Sequence, residues 1–147
     1  MIWPGPVVPD ATSASIFLMA DPRLPRSTGT KPARKPAREW RFYLDDMMGF
    51  CVQVLEYTKG IEQEQFVSDR MRFDATVRNV ELIGEAATHV PESIRLSWPD
   101  IPWRKIIATR NRLVHGYLGI DNDTLWSIVA VDVPPLLEAL RKMKAAG

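Results

Sequence analysis

The chain has 147 residues, of which 46% are hydrophobic and 25% charged, a composition typical of a single globular domain. Its net charge of +1 excludes a strongly basic nucleic-acid-binding protein, so any contact with RNA has to be local. The single cysteine, Cys51, excludes an internal disulfide and a multi-cysteine zinc site. Since no apolar run approaches the ~20 residues that span a bilayer, we expect a cytoplasmic protein without a membrane segment.

The first 39 residues differ in composition from the rest of the chain. They contain seven of the twelve prolines and carry six cations against three acids, a net charge of +3, whereas residues 40–147 carry −2. Proline-rich segments of this kind favour an extended, solvated backbone. We predict a flexible, basic extension over 1–39, which serves either as a solubilising tail or as a contact for an acidic partner or RNA. A helical domain is predicted over 40–147.

From residue 40 onward, apolar residues recur at three- and four-residue steps, which is the spacing of amphipathic helices. The predicted helices cover 40–58, 61–67, a segment from Ser68 or Asp69 to Pro91, a segment that begins at Pro102, and a last segment that begins at Asp121 or Asp123. Pro134-Pro135 should kink the last helix, because neither nitrogen carries a hydrogen and both rings crowd the preceding turn. We predict an all-α fold, an antiparallel four-helix-type bundle with short extra helices.

The helix that begins at Pro102 carries a polar motif, Arg110-Asn111-Arg112-Leu113-Val114-His115-Gly116-Tyr117. Such groups cost free energy when they are buried without partners, so they are either exposed or gathered at a site. Asn111 and His115 share a helix face, so Asn111 can hydrogen-bond the imidazole, whereas Arg110 lies about 140° around the helix from His115. Two copies of this helix, facing each other across a two-fold axis, would bring both groups to one cleft. The motif therefore predicts a homodimer.

The groups at such a cleft are suited to cleaving RNA without a metal ion. Neutral His115 can take the proton of a ribose 2′-hydroxyl, and its imidazolium form can protonate the leaving oxygen. The Arg110 guanidinium can bind the phosphate and stabilise the charge that develops in the transition state. Asn111 would orient the imidazole, and Arg112 would add positive potential. The alternative is a satisfied polar cluster that joins helices or subunits, because a five-residue Arg–His spacing is not specific.

Two acids of the preceding long helix are further candidates. Glu81 and Glu85 lie one turn apart, with Arg78 near the same face. They either form ion pairs that contribute little to stability, or contact Arg110 or Arg112 and position the guanidinium.

We predict structural roles for the other conspicuous polar and aromatic residues. Asp121 and Asp123 precede an apolar helix and are predicted caps, not cation ligands. His89 is predicted at an exposed helix end, and Trp98 and Trp103 as core anchors. The sequence has no zinc-ligand spacing, phosphate-binding glycine loop or nucleophile elbow, so we predict neither a metal nor a cofactor.

The motif resembles the Arg-x4–6-His signature of the HEPN superfamily, in the form with a tyrosine two residues after the histidine that is found in HepT-like toxins. The resemblance covers about residues 40–144 and includes the segments Tyr43-Leu44-Asp45-Asp46, Arg78-Asn79-x-Glu81-x-Ile83-Gly84-Glu85-Ala86-Ala87, Pro102-Trp103-Arg104-x-Ile106-Ile107 and Val131-x-Val133-Pro134. It implies a cytoplasmic ribonuclease toxin that works as a homodimer. In that family the catalytic residues would be Arg110 and His115, with Asn111 in support.

The resemblance also implies a partner and a mode of regulation. The partner would be an antitoxin, a minimal nucleotidyltransferase that adds AMP to the tyrosine of the motif, here Tyr117. An adenylyl group beside Arg110 would add negative charge and bulk where the RNA phosphate should bind. The alternative function is a non-catalytic HEPN module that binds a partner nucleotidyltransferase and assists nucleotide or substrate binding.

Overall fold

The computed structural model describes residues 39–116 and 120–147. These residues belong to one compact unit, Ala37–Gly147, and within them only helices and connecting turns occur. The fold class of the described part is therefore all-α, as predicted. The predicted extension over 1–39 lies outside the described residues except for its last position. None of the described helices is long and apolar enough to cross a membrane.

Within residues 39–116 and 120–147, seven α-helices and one π-helical turn follow one another along the chain. They are α1 (Trp40–Thr58), α2 (Gln63–Ser68), α3 (Arg70–Thr88), α4 (Glu92–Ser97), α5 (Trp103–Gly116), α6 (Asn122–Ser127), the π-helical turn (Ile128–Asp132) and α7 (Val133–Ala146). The predicted helices are confirmed over these ranges, and the connection between Pro91 and Pro102 contains the short helix α4.

Local side-chain chemistry fixes where several helices begin and end. Gly60, with a φ of 71°, adopts the left-handed conformation just after α1, which glycine accepts without strain. The Asp69 carboxylate accepts a hydrogen bond from the backbone N–H of Arg72 at 3.2 Å, and that hydrogen bond lowers the pKa of Asp69. Asp121 caps α6 in the same way, accepting from the backbone N–H of Thr124 at 2.6 Å. Of the alternatives predicted, the caps are therefore Asp69 rather than Ser68 and Asp121 rather than Asp123.

The interruption predicted at Pro134-Pro135 takes the form of a π-helical turn. The backbone N–H of Val133 donates to the carbonyl oxygen of Ile128, five residues earlier. The two prolines that follow have no N–H to donate to the preceding turn, so the chain widens there before it continues as α7.

The core lies where α1 packs against α3 and α7, and α3 also packs against α5. Its apolar side chains include Leu44, Met47, Cys51, Phe66, Phe73, Ile83, Leu125, Val129, Leu137, Leu140 and Met143. Burial raises the pKa of the Cys51 thiol to about 12. The predicted anchor Trp103 is buried, and its Nε1 donates to the carbonyl oxygen of Trp98 at 3.0 Å. In α5 only Trp103 and Leu113 are fully buried, and the motif residues Asn111, Arg112 and His115 are exposed.

Candidate functional site

The site is built where α3 and α5 approach each other at Gly84. A Cβ added to Gly84 would collide with the Cβ of Arg110 and lie 3.0 Å from the carbonyl oxygen of Ile106. Only glycine allows the two helix backbones to come this close. The contact places the first residue of the motif directly over α3.

The Arg110 guanidinium is held from two sides. Its Nη2 lies 2.7 Å from Oε1 of Glu85 on α3, and its Nη1 donates to Oδ1 of Asn111 at 2.8 Å. The side chain is only 28% exposed, and its buried Nε has no hydrogen-bond partner among the described residues. A guanidinium has five N–H donors, so these contacts orient the group and leave donor capacity for an anion such as a phosphate.

Glu85 is itself held by a second set of contacts. Its Oε2 lies 3.4 Å from Nε2 of His89, and the His89 ring stacks on Tyr43 with a centroid distance of 4.5 Å and an interplanar angle of 17°. We call Tyr43, His89 and Glu85 the support chain, because together they connect α1 to Arg110. The position of His89 at an exposed helix end is confirmed, but its contact with Tyr43 was not predicted.

Three other polar residues of the motif lie on the exposed side of α5. His115 is in the last turn of α5 and is exposed, as are Asn111 and Arg112. Asn111 is predicted to hydrogen-bond the imidazole, but the partner of its Oδ1 is the charged guanidinium of Arg110, a stronger type of donor. Hydrogen bonds from Thr124 lower the pKa of Asp121, and the nearby charge of Arg112 lowers it further. Tyr117 lies outside the described residues.

The two candidate acids of α3 have different partners. Glu85 meets Arg110, as one of the two alternatives predicted. Glu81 pairs instead with Arg78 of its own helix at 2.5 Å, and its side chain is 18% exposed. The structure therefore brings Glu85, Arg110 and Asn111 together and places Glu81 in an ion pair within α3.

The acids near the start of α6 have structural partners. Asp121 is the cap described above, and Oδ1 of Asp123 accepts from Nε2 of Gln63 at 2.5 Å. Within residues 39–116 and 120–147, no group of three histidine, cysteine or acidic residues is placed to hold a metal ion.

Comparison with known proteins decides the family. The profile described as ribonuclease HepT-like matches residues 47–143. The chain belongs to this HepT-like family. A Methanocaldococcus jannaschii protein with a provisional RNase name is 36% identical over 99 residues, which cover 67% of this chain and 91% of that protein. A Thermococcus cleftensis protein named as a probable ribonuclease HepT is 34% identical over 107 residues, which cover 73% of this chain and 97% of that protein.

No solved structure shows a significant match to this HepT-like chain. The resemblance inferred from the motif is confirmed at the level of the family. The matched region runs from the middle of α1 into α7. It therefore contains Arg110, Asn111 and His115, and also Glu85, which contacts Arg110. Tyr43, the outer member of the support chain, lies just before it.

Proposed function

We propose that this HepT-like chain is a metal-independent endoribonuclease and the toxin of a toxin–antitoxin pair. The observation that carries the proposal is the Arg110 guanidinium, which is oriented by Glu85 and Asn111 and lies five residues before an exposed histidine on the same helix. The ribonuclease names of the relatives support RNA as the substrate. We assign the activity to the helical domain, residues 40–147.

In the proposed reaction, His115 and Arg110 act on one phosphodiester linkage. The neutral imidazole takes the proton from the ribose 2′-hydroxyl, and the 2′-oxygen forms a bond to phosphorus. The bond from phosphorus to the 5′-oxygen breaks, and that oxygen takes a proton from an imidazolium. Arg110 binds the phosphate oxygens and stabilises the charge that builds up on them. The products are a 2′,3′-cyclic phosphate and a 5′-hydroxyl.

A homodimer would bring the required groups together. On one helix Arg110 faces α3 while His115 lies about 140° away around the helix axis, so one copy does not direct both at a small target. In the proposed dimer the exposed motif faces of two α5 helices meet across a two-fold axis. Each subunit would be an antiparallel four-helix-type bundle, with Arg112 adding positive potential at the cleft.

We further propose that a partner nucleotidyltransferase silences the toxin by adding AMP to Tyr117. The phenol oxygen would attack the α-phosphate of a nucleoside triphosphate, losing its proton, and pyrophosphate would leave. The added group would place negative charge near Arg110, in competition with an RNA phosphate. This step is tested by expressing the protein in the cytoplasm of cells, with and without its partner, and measuring its intact mass. A gain of whole AMP units is expected only with the partner and only when Tyr117 is present.

Cleavage of RNA by the purified full chain in the presence of a chelator tests the activity itself. We expect cleavage that leaves 2′,3′-cyclic phosphate ends, at least 100-fold slower in His115→Ala because general acid–base catalysis contributes about 10²–10⁴-fold. Val52→Ala, which makes the same type of change at an exposed position on α1, is the matched control and should cleave normally. Cleavage that survives in His115→Ala would remove His115 from the mechanism. Partner binding without any cleavage would instead support the non-catalytic module.

A further inference from the structure

A cleft of about 580 Å³ lies beside the motif, between α4 and α5. The side chains that matter for its chemistry are Glu92, Arg95, Leu96, Arg104, Ile107 and Asn111. Asn111, which accepts a hydrogen bond from Arg110, is therefore shared between this cleft and the candidate site. We call it the α4–α5 cleft.

The α4–α5 cleft leads toward His115 along one face of α5. Arg104, Ala108, Asn111 and His115 follow one another at steps of four, three and four residues, which places them on the same side of a helix. From Arg104 to His115 the helix rises about 16 Å, at 1.5 Å per residue. Each strand of a duplex carries one phosphate per about 3.4 Å of helix axis, and an extended single strand spaces its phosphates more widely, so this face can accommodate a few nucleotides.

Charge distinguishes the α4–α5 cleft from the cavities around it. It has two arginines, Arg95 and Arg104, against one acid, Glu92. Arg95 donates from Nε to the carbonyl oxygen of Val90 at 3.0 Å, which holds its guanidinium at the cleft. Arg104 is exposed. The α4–α5 cleft thus has a net positive charge and favours an anion.

The two neighbouring cavities are less suited to an anion. In the cleft on the other side of α5, Lys105 and Arg112 are balanced by Asp123 and Asp132, and Nζ of Lys105 lies 4.0 Å from Oδ2 of Asp132. A smaller groove of about 190 Å³ between α3, α5 and α7 is lined mainly by apolar side chains and has Asp100 and Asp132 against Lys105 alone. Neither cavity offers an excess of cations.

The α4–α5 cleft also offers apolar surface for a nucleobase. Leu96 is 71% exposed at its rim, and Ile107 lies half-buried on its α5 side. A base can reach such a surface only from a single strand, because in a duplex the bases stack on one another.

We propose that the α4–α5 cleft binds the single-stranded RNA next to the linkage that is cleaved. Arg95 and Arg104 contact its phosphates, and Leu96 and Ile107 contact a base. The inference deepens the proposed function and rests on it, since it takes the Arg110–His115 site as the place of cleavage.

Binding of a labelled single-stranded RNA of mixed sequence to the His115→Ala protein, measured at several salt concentrations, tests the cleft. Adding Arg104→Gln should weaken binding and reduce the slope of log K against log salt by about 0.7, the value for one phosphate contact in a single strand. The matched control is Arg141→Gln, which removes an exposed arginine paired with Glu138 on α7 and should leave the slope unchanged. Equal slopes in the two variants would overturn the proposal.

A second pair of variants tests the apolar rim without removing a cation. Leu96→Glu places a negative charge at the cleft and should weaken RNA binding at least tenfold. Met71→Glu, at an 84% exposed position on α3, makes the same type of change elsewhere and should have little effect. Equal losses in both variants, or binding of duplex RNA as tight as that of single-stranded RNA, would overturn the proposal. If the wild-type protein cleaves no RNA, it is the proposed function that fails, and the binding results still decide the cleft.

Discussion

Arg110 is held in place by an acid from another helix. The contact between its Nη2 and Glu85 is 2.7 Å long, yet the Glu85 side chain is 44% exposed. Ion pairs this exposed contribute little to the free energy of unfolding, typically below about 1 kcal/mol. The main effect of the contact is therefore to fix the position of the guanidinium, because it adds little to the free energy of unfolding.

A substitution that removes the Glu85 charge should lower activity more than stability. We expect Glu85→Gln to reduce kcat/KM for RNA cleavage by about 10- to 100-fold, because small displacements of a catalytic group can cost that much. The melting temperature should change little. Glu81→Gln, one turn away on α3 and paired with Arg78, is the matched control and should cleave nearly as fast as the wild type.

The same variant can separate positioning from general damage through a double-mutant cycle. If Glu85 acts through Arg110, adding Glu85→Gln to Arg110→Ala should cause no further loss of activity. Losses that simply add, or an equal loss in Glu81→Gln, would contradict a positioning role for Glu85.

At the residue scale, only the local part of the site could be predicted from the sequence. The motif and Glu85 could be singled out because they show unusual polarity within short helical stretches. The support chain could not, since Tyr43 and His89 are far apart in the sequence and meet only after α1 and α3 have packed. The spacing of four residues between Glu85 and His89 was the one signal available.

Gly84 sets the distance between α3 and α5, and so determines where α5 presents the motif. Its missing side chain leaves room for the Cβ of Arg110 and for the carbonyl oxygen of Ile106. Backbone and Cβ atoms on a neighbouring helix cannot move aside as the end of a long side chain can, so a larger residue there would push the helices apart.

Gly84→Ala should therefore destabilise the fold by about 1–3 kcal/mol, the usual cost of overpacking, and slow RNA cleavage as well. The matched control is Gly49→Ala on α1, where an added Cβ would meet nothing within 4 Å. That variant should be stabilised by about 0.5–1 kcal/mol, because alanine favours a helix over glycine. Urea unfolding of both variants measures the difference. A Gly84→Ala protein as stable as the wild type would show that α3 and α5 do not constrain each other.

At the element scale, the helices could be predicted and their contacts could not. Periodic apolar residues and the caps at Asp69 and Asp121 are local patterns, and both caps are present. The close approach at Gly84 depends on which helices become neighbours, which no local pattern encodes. The doubled proline indicated an interruption, but it did not indicate that the chain widens into the π-helical turn of Ile128–Asp132.

For the whole molecule, the distribution of charge is more informative than its sum. The net charge is +1, yet α5 contains four arginine and lysine residues and no acid. Arg104, Lys105 and Arg112 are exposed, whereas Arg110 packs against α3. A cationic, largely exposed helix in a nearly neutral protein favours a local contact with RNA, and its outward-facing motif leaves room for a second subunit.

The dimer predicts that two inactive variants can restore each other. Arg110→Ala retains His115, and His115→Ala retains Arg110, so a mixed dimer contains one of each group at the shared cleft. After the two proteins are unfolded and refolded together, we expect RNA cleavage above that of either variant alone. A matched mixture of Arg110→Ala with the Arg110→Ala/His115→Ala double variant contains no Arg110 and should remain inactive.

Native mass spectrometry can show that heterodimers have formed. If they have formed and cleavage is not restored, the guanidinium and the imidazole do not act across the interface, and the role proposed for the second subunit is wrong.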